Sequence, residues 1–215
     1  MVSHMTKNST AKEDLVREFR MREILAAARR VVARYGFQGV TLDRVAEEAQ
    51  VAKGTIYLYF PNKDELLKAA VEQGIEDFTS QLRAEVAAAV TPIEKLRRLV
   101  EAGLELSDSH RDFFKMLLLE RNFLAASPDC PEAAHMLDLY LAHINFISEV
   151  IAQGVQADVL RAHDVHVSAF ALNEAMRGCF QQRILGLTKR SVAEDADVLL
   201  DLFLHGILNN HLKEQ

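Results

Sequence analysis

The sequence predicts an all-α protein, and three observations carry that prediction. Its 215 residues include only 9 Gly and 4 Pro, too few breakers for a chain built from many short strands. Apolar residues recur at three- and four-residue steps, and no alternation of β-branched residues is sustained anywhere. Hydrophobic residues make up 49% of the chain, enough for a sizeable core in one or two domains. The pattern divides into about nine helices.

Taken in order, Met1–Met5 reads as a vector-derived leader before a natural start at Met5, and Thr6–Lys12 is polar and expected to be disordered. A first helix is expected over Glu13–Tyr35, with Phe19, Ile24, Leu25, Ala28, Val31 and Val32 as its buried stripe. Arg17, Arg20, Arg22, Arg29, Arg30 and Arg34 decorate it, and Gly36 ends it as a C′ glycine does. Thr41 is an N-cap for a short helix whose inner face is Leu42, Val45, Ala46 and Ala49. Gln50–Ala52 interrupts the period, and Lys53-Gly54-Thr55 opens a second short helix with Ile56 and Phe60 inward. A fourth helix, capped by Asn62, spans Lys63 to about Val90 with Asp64 and Glu65 at its positive end. Thr91-Pro92 starts a fifth, to about Leu106. Asp112–Leu124, Glu132–Gln156, Val165–Leu185 and Ser191–Leu212 complete the set, with Gly154 a C-terminal signal.

Charge is distributed unevenly. Lys12–Lys68 carries 11 Lys/Arg and 9 Asp/Glu for a net of +2, whereas the chain from Ala69 onward has a net of −9. No Asp or Glu occurs between Glu48 and Asp64. A short helix bearing Lys, Thr and two Tyr in that acid-free stretch suits a polyanion. Two helices joined by a tight turn, the second so decorated, have the sequence form of a helix-turn-helix that enters the DNA major groove.

Thr41–Phe60, the Phe-x-x-Lys-x-x-Leu run through Leu67, and the upstream Ile24–Ala28 and Tyr35-Gly36-Phe37 resemble the DNA-binding domain of the TetR family of bacterial transcription regulators. The likeness covers roughly the first third of the chain. It implies a three-helix DNA-binding domain over residues 13–62, a linking helix over 63–90, and a larger ligand-binding and dimerisation domain over 91–215. The DNA-contact residues it implies are Thr41, Lys53, Gly54, Thr55, Tyr57, Leu58, Tyr59 and Lys63. The chemistry agrees. Thr and Tyr hydroxyls donate to phosphate oxygens, Gly54 admits close backbone approach, Lys53 reaches a phosphate or guanine, and Lys63 clamps a phosphate at a helix start. Leu58, in the variable outward position, meets a thymine methyl. The alternative is a solvated helix with its Tyr side chains packed in a core.

In the larger domain, Phe113, Phe114, Met116, Tyr140, His143, Phe146 and Phe180 are candidates to line a cavity, although aromatic residues at helical spacing also describe plain core. Asn173, Arg177 and Gln181 form a polar ladder on an apolar helix and must find partners if buried. An inward Arg177 would favour a ligand bearing a carboxylate or other acceptor. Glu120 and Arg121 raise the same question of partners. Val198, Leu199, Leu202, Phe203, Gly206 and Ile207 form an apolar face expected to dimerise, with Gly206 permitting close helix approach. His163 with His166, and His135 with His143, lack the further ligands that a metal site needs. No phosphate loop or nucleophile arrangement is present, so neither an enzyme nor a cofactor is implied. Cys130 and Cys179 form no CxxC pair and read as the reduced thiols of a cytoplasmic protein. No apolar run approaches the length of a membrane span, about 20 residues.

The resemblance therefore implies a homodimeric repressor of a roughly palindromic double-stranded DNA operator, released by a small molecule. Two alternatives stay open on sequence. One is a regulator controlled by a protein partner or by no ligand. The other is a small-molecule-sequestering protein whose helix-turn-helix is vestigial.

Overall fold

Every regular element among the described residues is helical, from α1 (Ser3–Tyr35) to α9 (Val192–His205). The computed structural model describes residues 3–119 and 131–206, with side chains over 13–118 and 134–206. Glu120, Arg121, Cys130 and Ile207 lie outside them. Between the ends come α2 (Leu42–Glu48), α3 (Lys53–Tyr57), α4 (Lys63–Ala87), α5 (Pro92–Ser109), α6 (Arg111–Leu119), α7 (Pro131–Gln156) and α8 (Val165–Ile184), with a single 3-10 turn, Phe37–Gly39, before α2. The chain forms two compact units, and among the described residues the first holds 3–74 and 112–119, the second 75–111 and 131–206. The first unit thus takes most of α6 as well as the N-terminal segment. The division falls inside α4, the helix expected to link the two domains.

Two expectations about α1 are corrected. The backbone is helical from Ser3, so Thr6–Lys12 is not a disordered leader. That stretch contains neither Gly nor Pro, and extending an existing helix costs far less than nucleating one. Phe19 is not in the core: it is 63% exposed, with Leu15 and Val16 also exposed. The buried stripe begins at Ile24. Gly36, at φ 69°, then turns the chain out of α1 in a conformation that favours glycine. An ion-pair clamp fixes α2 against α1: Glu48 accepts from Arg30 Nε at 2.7 Å and from Arg34 Nη1 at 3.2 Å. Hydrogen bonding from Arg30 is the main cause that holds the Glu48 carboxyl below its ordinary range. Lower in the unit, Gly74 lies against the Phe113 ring, where a Cβ would come within 2.4 Å of ring carbons.

In the second unit, α5 packs on α7, α8 and α9, and α7 on α8. Leu96, Leu99, Ile144, Ile147, Ile151 and Leu172 are fully buried there. Capping boxes start α5 (Thr91 with Glu94) and α9 (Ser191 with Glu194). The expected break at Ser107–His110 contracts to His110, because the Ser107 hydroxyl donates to the Gly103 carbonyl at 2.6 Å and α5 continues past it. Helix α9 stops at His205, and Gly206, at φ 75°, is its terminator. This corrects the role expected of Gly206: its left-handed backbone ends the helix instead of letting a neighbour approach its middle. Leu199 is buried within its own chain, Phe203 is half-buried, and the outward face of α9 is left to Val198 and Leu202, 51% and 45% exposed.

A charge cluster ties the ends of three helices of this unit. Asp195, only 1% exposed, accepts from Arg190 Nε at 2.7 Å and pairs with Arg183 Nη1 at 3.5 Å. Arg183 also reaches Asp108 at 3.4 Å, and Asp108 pairs with Arg111 at 3.3 Å. Removing the carboxylate leaves the mostly buried Arg183 with Asp108 as its remaining carboxylate partner. Asp195→Ala is therefore expected to cost roughly 3 kcal/mol of stability, measured as a lowered urea midpoint. Asp195→Asn, which keeps an acceptor for Arg190, is expected to cost less.

Candidate nucleic-acid interface

The surface is built on α2, α3 and the start of α4, all in the first unit. Thr41 caps α2, its hydroxyl oxygen accepting from the Arg44 amide at 3.3 Å. The hydroxyl proton is not used by this cap. Gln50, at φ 55°, makes the left-handed step between the helices. Helix α3 is five residues long. Ile56 is fully buried and Phe60 nearly so, while Lys53, Gly54, Tyr57 and Leu58 are exposed and Thr55 and Tyr59 are half-buried. Lys63 begins α4, whose start is capped by Asn62 Oδ1 accepting from the Glu65 amide at 2.9 Å. All eight residues implied as DNA contacts thus fall on this contiguous segment of the first unit.

Two features of the surface escaped the sequence reading. Lys53 Nζ is paired with Asp43 at 2.8 Å, and hydrogen bonding from Asp43 is the main cause that raises the ammonium pKa above its ordinary value. The acid-free interval in sequence is therefore not an acid-free surface, because the first turn of α2 delivers a carboxylate to the start of α3. A Lys–Asp separation of ten residues has no helical periodicity to reveal it. The second feature is Arg17, whose guanidinium lies 6.0 Å from the Tyr59 ring centre. Glu13, Val16, Arg17, Leu58 and Tyr59 line an open cleft of about 600 Å³. In the sequence Arg17 is one of six arginines that decorate α1, and its spacing does not single it out.

The residues expected to line a ligand cavity are divided. Phe113 and Met116 are buried and Phe114 half-buried in the first unit, with Phe113 and Phe114 edge to face at 5.2 Å. Tyr140, His143, Asn173, Arg177 and Gln181 are in the second unit. Of these, Asn173 turns inward: His143 Nε2 lies 3.2 Å from its Oδ1. The His143 ring is 5.7 Å from Phe78, and its Nδ1 is shielded from solvent without a hydrogen-bond partner. Burial above all lowers the His143 pKa, with Arg83 adding to the effect and the Asn173 contact opposing it. The expected inward ladder is corrected at its other two rungs. Arg177 is exposed and engaged by Glu174 one turn earlier on α8, and Gln181 is exposed. On α8 the polar face turns outward after Asn173, and the inference of an acidic ligand held by Arg177 falls with it. Tyr140 donates to the same Glu174 at 3.4 Å.

Among the described residues no cluster of His, Cys, Asp or Glu is able to hold a metal ion, and no helix is long and apolar enough to cross a membrane. Residues 24–70 match the family model described as bacterial regulatory proteins, tetR family. Those residues carry the DNA-binding domain of the TetR family. Over 190 residues it is 22% identical to the fatty acid metabolism regulator protein of Bacillus subtilis (strain 168), covering 87% of this chain and 95% of that one. It is 33% identical over 91 residues to the HTH-type transcriptional regulator BetI of Burkholderia cenocepacia (strain HI2424), covering 42% and 47% of the two chains. The fold matches that of the transcriptional regulator FadR from Bacillus subtilis, solved in complex with stearoyl-CoA, with a TM-score of 0.75 and 20% identity over 87% of this chain and 99% of that one. With that domain, and with relatives named as transcriptional regulators, the protein is a DNA-binding transcriptional regulator.

Two outcomes follow from this geometry. Lys63→Ala is expected to flatten the salt dependence of DNA binding by about one unit of slope on a log–log plot, read by titration at several salt concentrations. An unchanged slope would remove Lys63 from the contact set. For His143, the pKa in the folded chain is depressed below 6.5, so below that value the unfolded chain binds the additional proton and stability falls as pH falls. His143→Phe should lose less stability than the parent when acidified through that range, measured as the pH dependence of thermal midpoints.

Proposed function

We propose that the TetR-family chain is a homodimeric repressor, released from a roughly palindromic operator by a small molecule with a long apolar portion. The observation that carries the DNA half of this reading is the presentation of α3: one side buried through Ile56, the remainder offering Lys53, Thr55 and two Tyr hydroxyls. Groups of this kind position a helix on phosphates. The dimer is supported by exposed apolar side chains on and beside the last two described helices, Val167, Leu185, Leu187, Val198 and Leu202. Exposed apolar area of this kind is a recurrent mark of a subunit contact. Two copies joined there would carry paired α3 helices for two half-sites.

Support for the ligand half is the polar spot at His143. Its unpartnered Nδ1 lies in an apolar setting that includes Phe78, and a ligand bearing one hydrogen-bonding group among apolar atoms would complete it. The similarity to a fatty acid metabolism regulator, and to a FadR structure holding stearoyl-CoA, favours acyl thioesters as the first ligands to test. For release, such a ligand has to bind the conformation unfit for DNA more tightly than the other.

A mobility-shift titration tests this reading, using a duplex enriched from a random pool by the full-length protein. Stearoyl-CoA is expected to release that duplex, and coenzyme A alone is not. Retention of the duplex at saturating stearoyl-CoA would reject this effector, and failure to enrich any duplex would reject the regulator itself. In the same assay Leu202→Glu should yield monomers by sedimentation and lose the shift. A folded, stable dimer of that variant would move the interface elsewhere.

A further inference from the structure

His143 has one ring nitrogen engaged and the other idle. Nε2 lies 3.2 Å from Asn173 Oδ1, while Nδ1 is shielded from solvent with no partner. The setting is apolar: Phe78, with its ring centre 5.7 Å away, and Ile147, one turn along α7, are both buried. Which nitrogen carries the proton decides what Nδ1 can bind, and the neighbours of Asn173 fix that.

The Asn173 amide is not free to turn over. Its Nδ2 donates to Glu174 Oε1 at 3.4 Å, and Tyr140 donates to the same oxygen at 3.4 Å. Glu174 Oε2 accepts from Arg177 Nε at 2.9 Å. A carboxylate paired with a guanidinium only accepts. With the amide reversed, Oδ1 would face that carboxylate, acceptor against acceptor. Oδ1 therefore faces His143, and Nε2 is the nitrogen that donates. Burial above all lowers the His143 pKa, so the ring is neutral and holds a single proton. That proton is on Nε2, and Nδ1 is left as a bare lone pair. The polar ladder of α8 thus acts through the ring: Arg177 orients Glu174, Glu174 orients Asn173, and Asn173 sets the tautomer. A buried acceptor of this kind is costly until a donor reaches it.

We propose that the ligand site at His143 takes an apolar molecule through a neutral hydrogen-bond donor, a hydroxyl or an amide N–H, delivered to Nδ1, with Asn173 as the positioning residue that sets the tautomer. The inference rests on the ligand-release reading above and adds the polarity of the group that the site selects. A carboxylate or an ether oxygen brings a second acceptor against a lone pair and is disfavoured. In an acyl thioester the group that qualifies is an amide N–H of the pantetheine arm, since the thioester itself has no donor.

The test uses the full-length protein and three probes of matched chain length: dodecanol, its methyl ether and dodecanoate. In calorimetric titrations dodecanol is expected to bind about tenfold more tightly than the ether, the effect of leaving one buried acceptor unpaired, and more tightly than dodecanoate. His143→Phe, which keeps a ring beside Phe78, should bring the alcohol and the ether within about twofold of each other. Heteronuclear NMR of the histidine rings in the ligand-free parent is expected to place the His143 proton on Nε2. Asn173→Leu is expected to lose both that single tautomer and the preference for the alcohol. A proton on Nδ1 in the parent would overturn the proposal, whether or not the variants fold. Equal binding of alcohol and ether, tightest binding of dodecanoate, binding of none of the three, or an alcohol preference unchanged in His143→Phe would each overturn it as well. Release of the enriched duplex by stearoyl-CoA, measured alongside, leaves the ligand-release reading standing in every such case, and retention of the duplex rejects that effector too.

Discussion

The burial of Ile56 is the constraint on which the rest of the DNA-facing unit depends. A helix of five residues has no stability of its own. Its axis and rotation come from the side chains inserted by it and by the turn that follows, essentially Ile56 and Phe60. Once these are seated, every other side chain of α3 has an assigned direction, and the contact surface is a by-product of the core. The same dependence reaches outward. Helix α2 packs on α3 and α1 on α2, so the Arg30–Glu48–Arg34 clamp acts on α3 from a distance through α2.

Electrostatics here is local in a way that totals conceal. The acidic second part of the chain sets the net charge, yet the groups around α3 include Lys53, Lys63, Arg17 and hydroxyls, with the carboxylates of Asp43 and Glu13 among them. The Asp43–Lys53 pair is exposed to solvent, where such pairs are weak and screened by salt. It orients Lys53 in the free protein without holding it strongly against a competing phosphate. Asp195 is a different case, since its surroundings exclude water and its partners cannot be exchanged for solvent at small cost.

Much of this organisation was legible in sequence because helical periodicity and caps are local signals. Thr41, Thr91 and Ser191 all cap the helices they precede, and Ile56 with Phe60 is buried as an i, i+4 pair should be. What was illegible depended on which of two apolar faces meets a neighbour. Phe19 has the period of a core residue but is exposed, and Leu199 turns into its own chain while Val198 turns out. The α8 ladder failed for the same reason: i, i+4 spacing aligns Asn173, Arg177 and Gln181 but does not say how far along the helix its neighbours extend. The Asp43–Lys53 contact and the Arg17–Tyr59 approach join separate helices, and no local rule anticipates them.

The chain leaves the first unit within α4, builds α5 in the second, and returns to the first for α6. Gly74 has no side chain because the Phe113 ring occupies that space, and Phe113 arrives from a segment nearly forty residues downstream. The DNA-facing unit is consequently not a contiguous stretch of gene. A chimaera that grafts only the first 74 residues onto another regulator's body leaves the Gly74 face bare unless the recipient supplies a ring of matching shape. Recombination between such regulators is constrained to cut in two places, or to inherit a partner for that glycine.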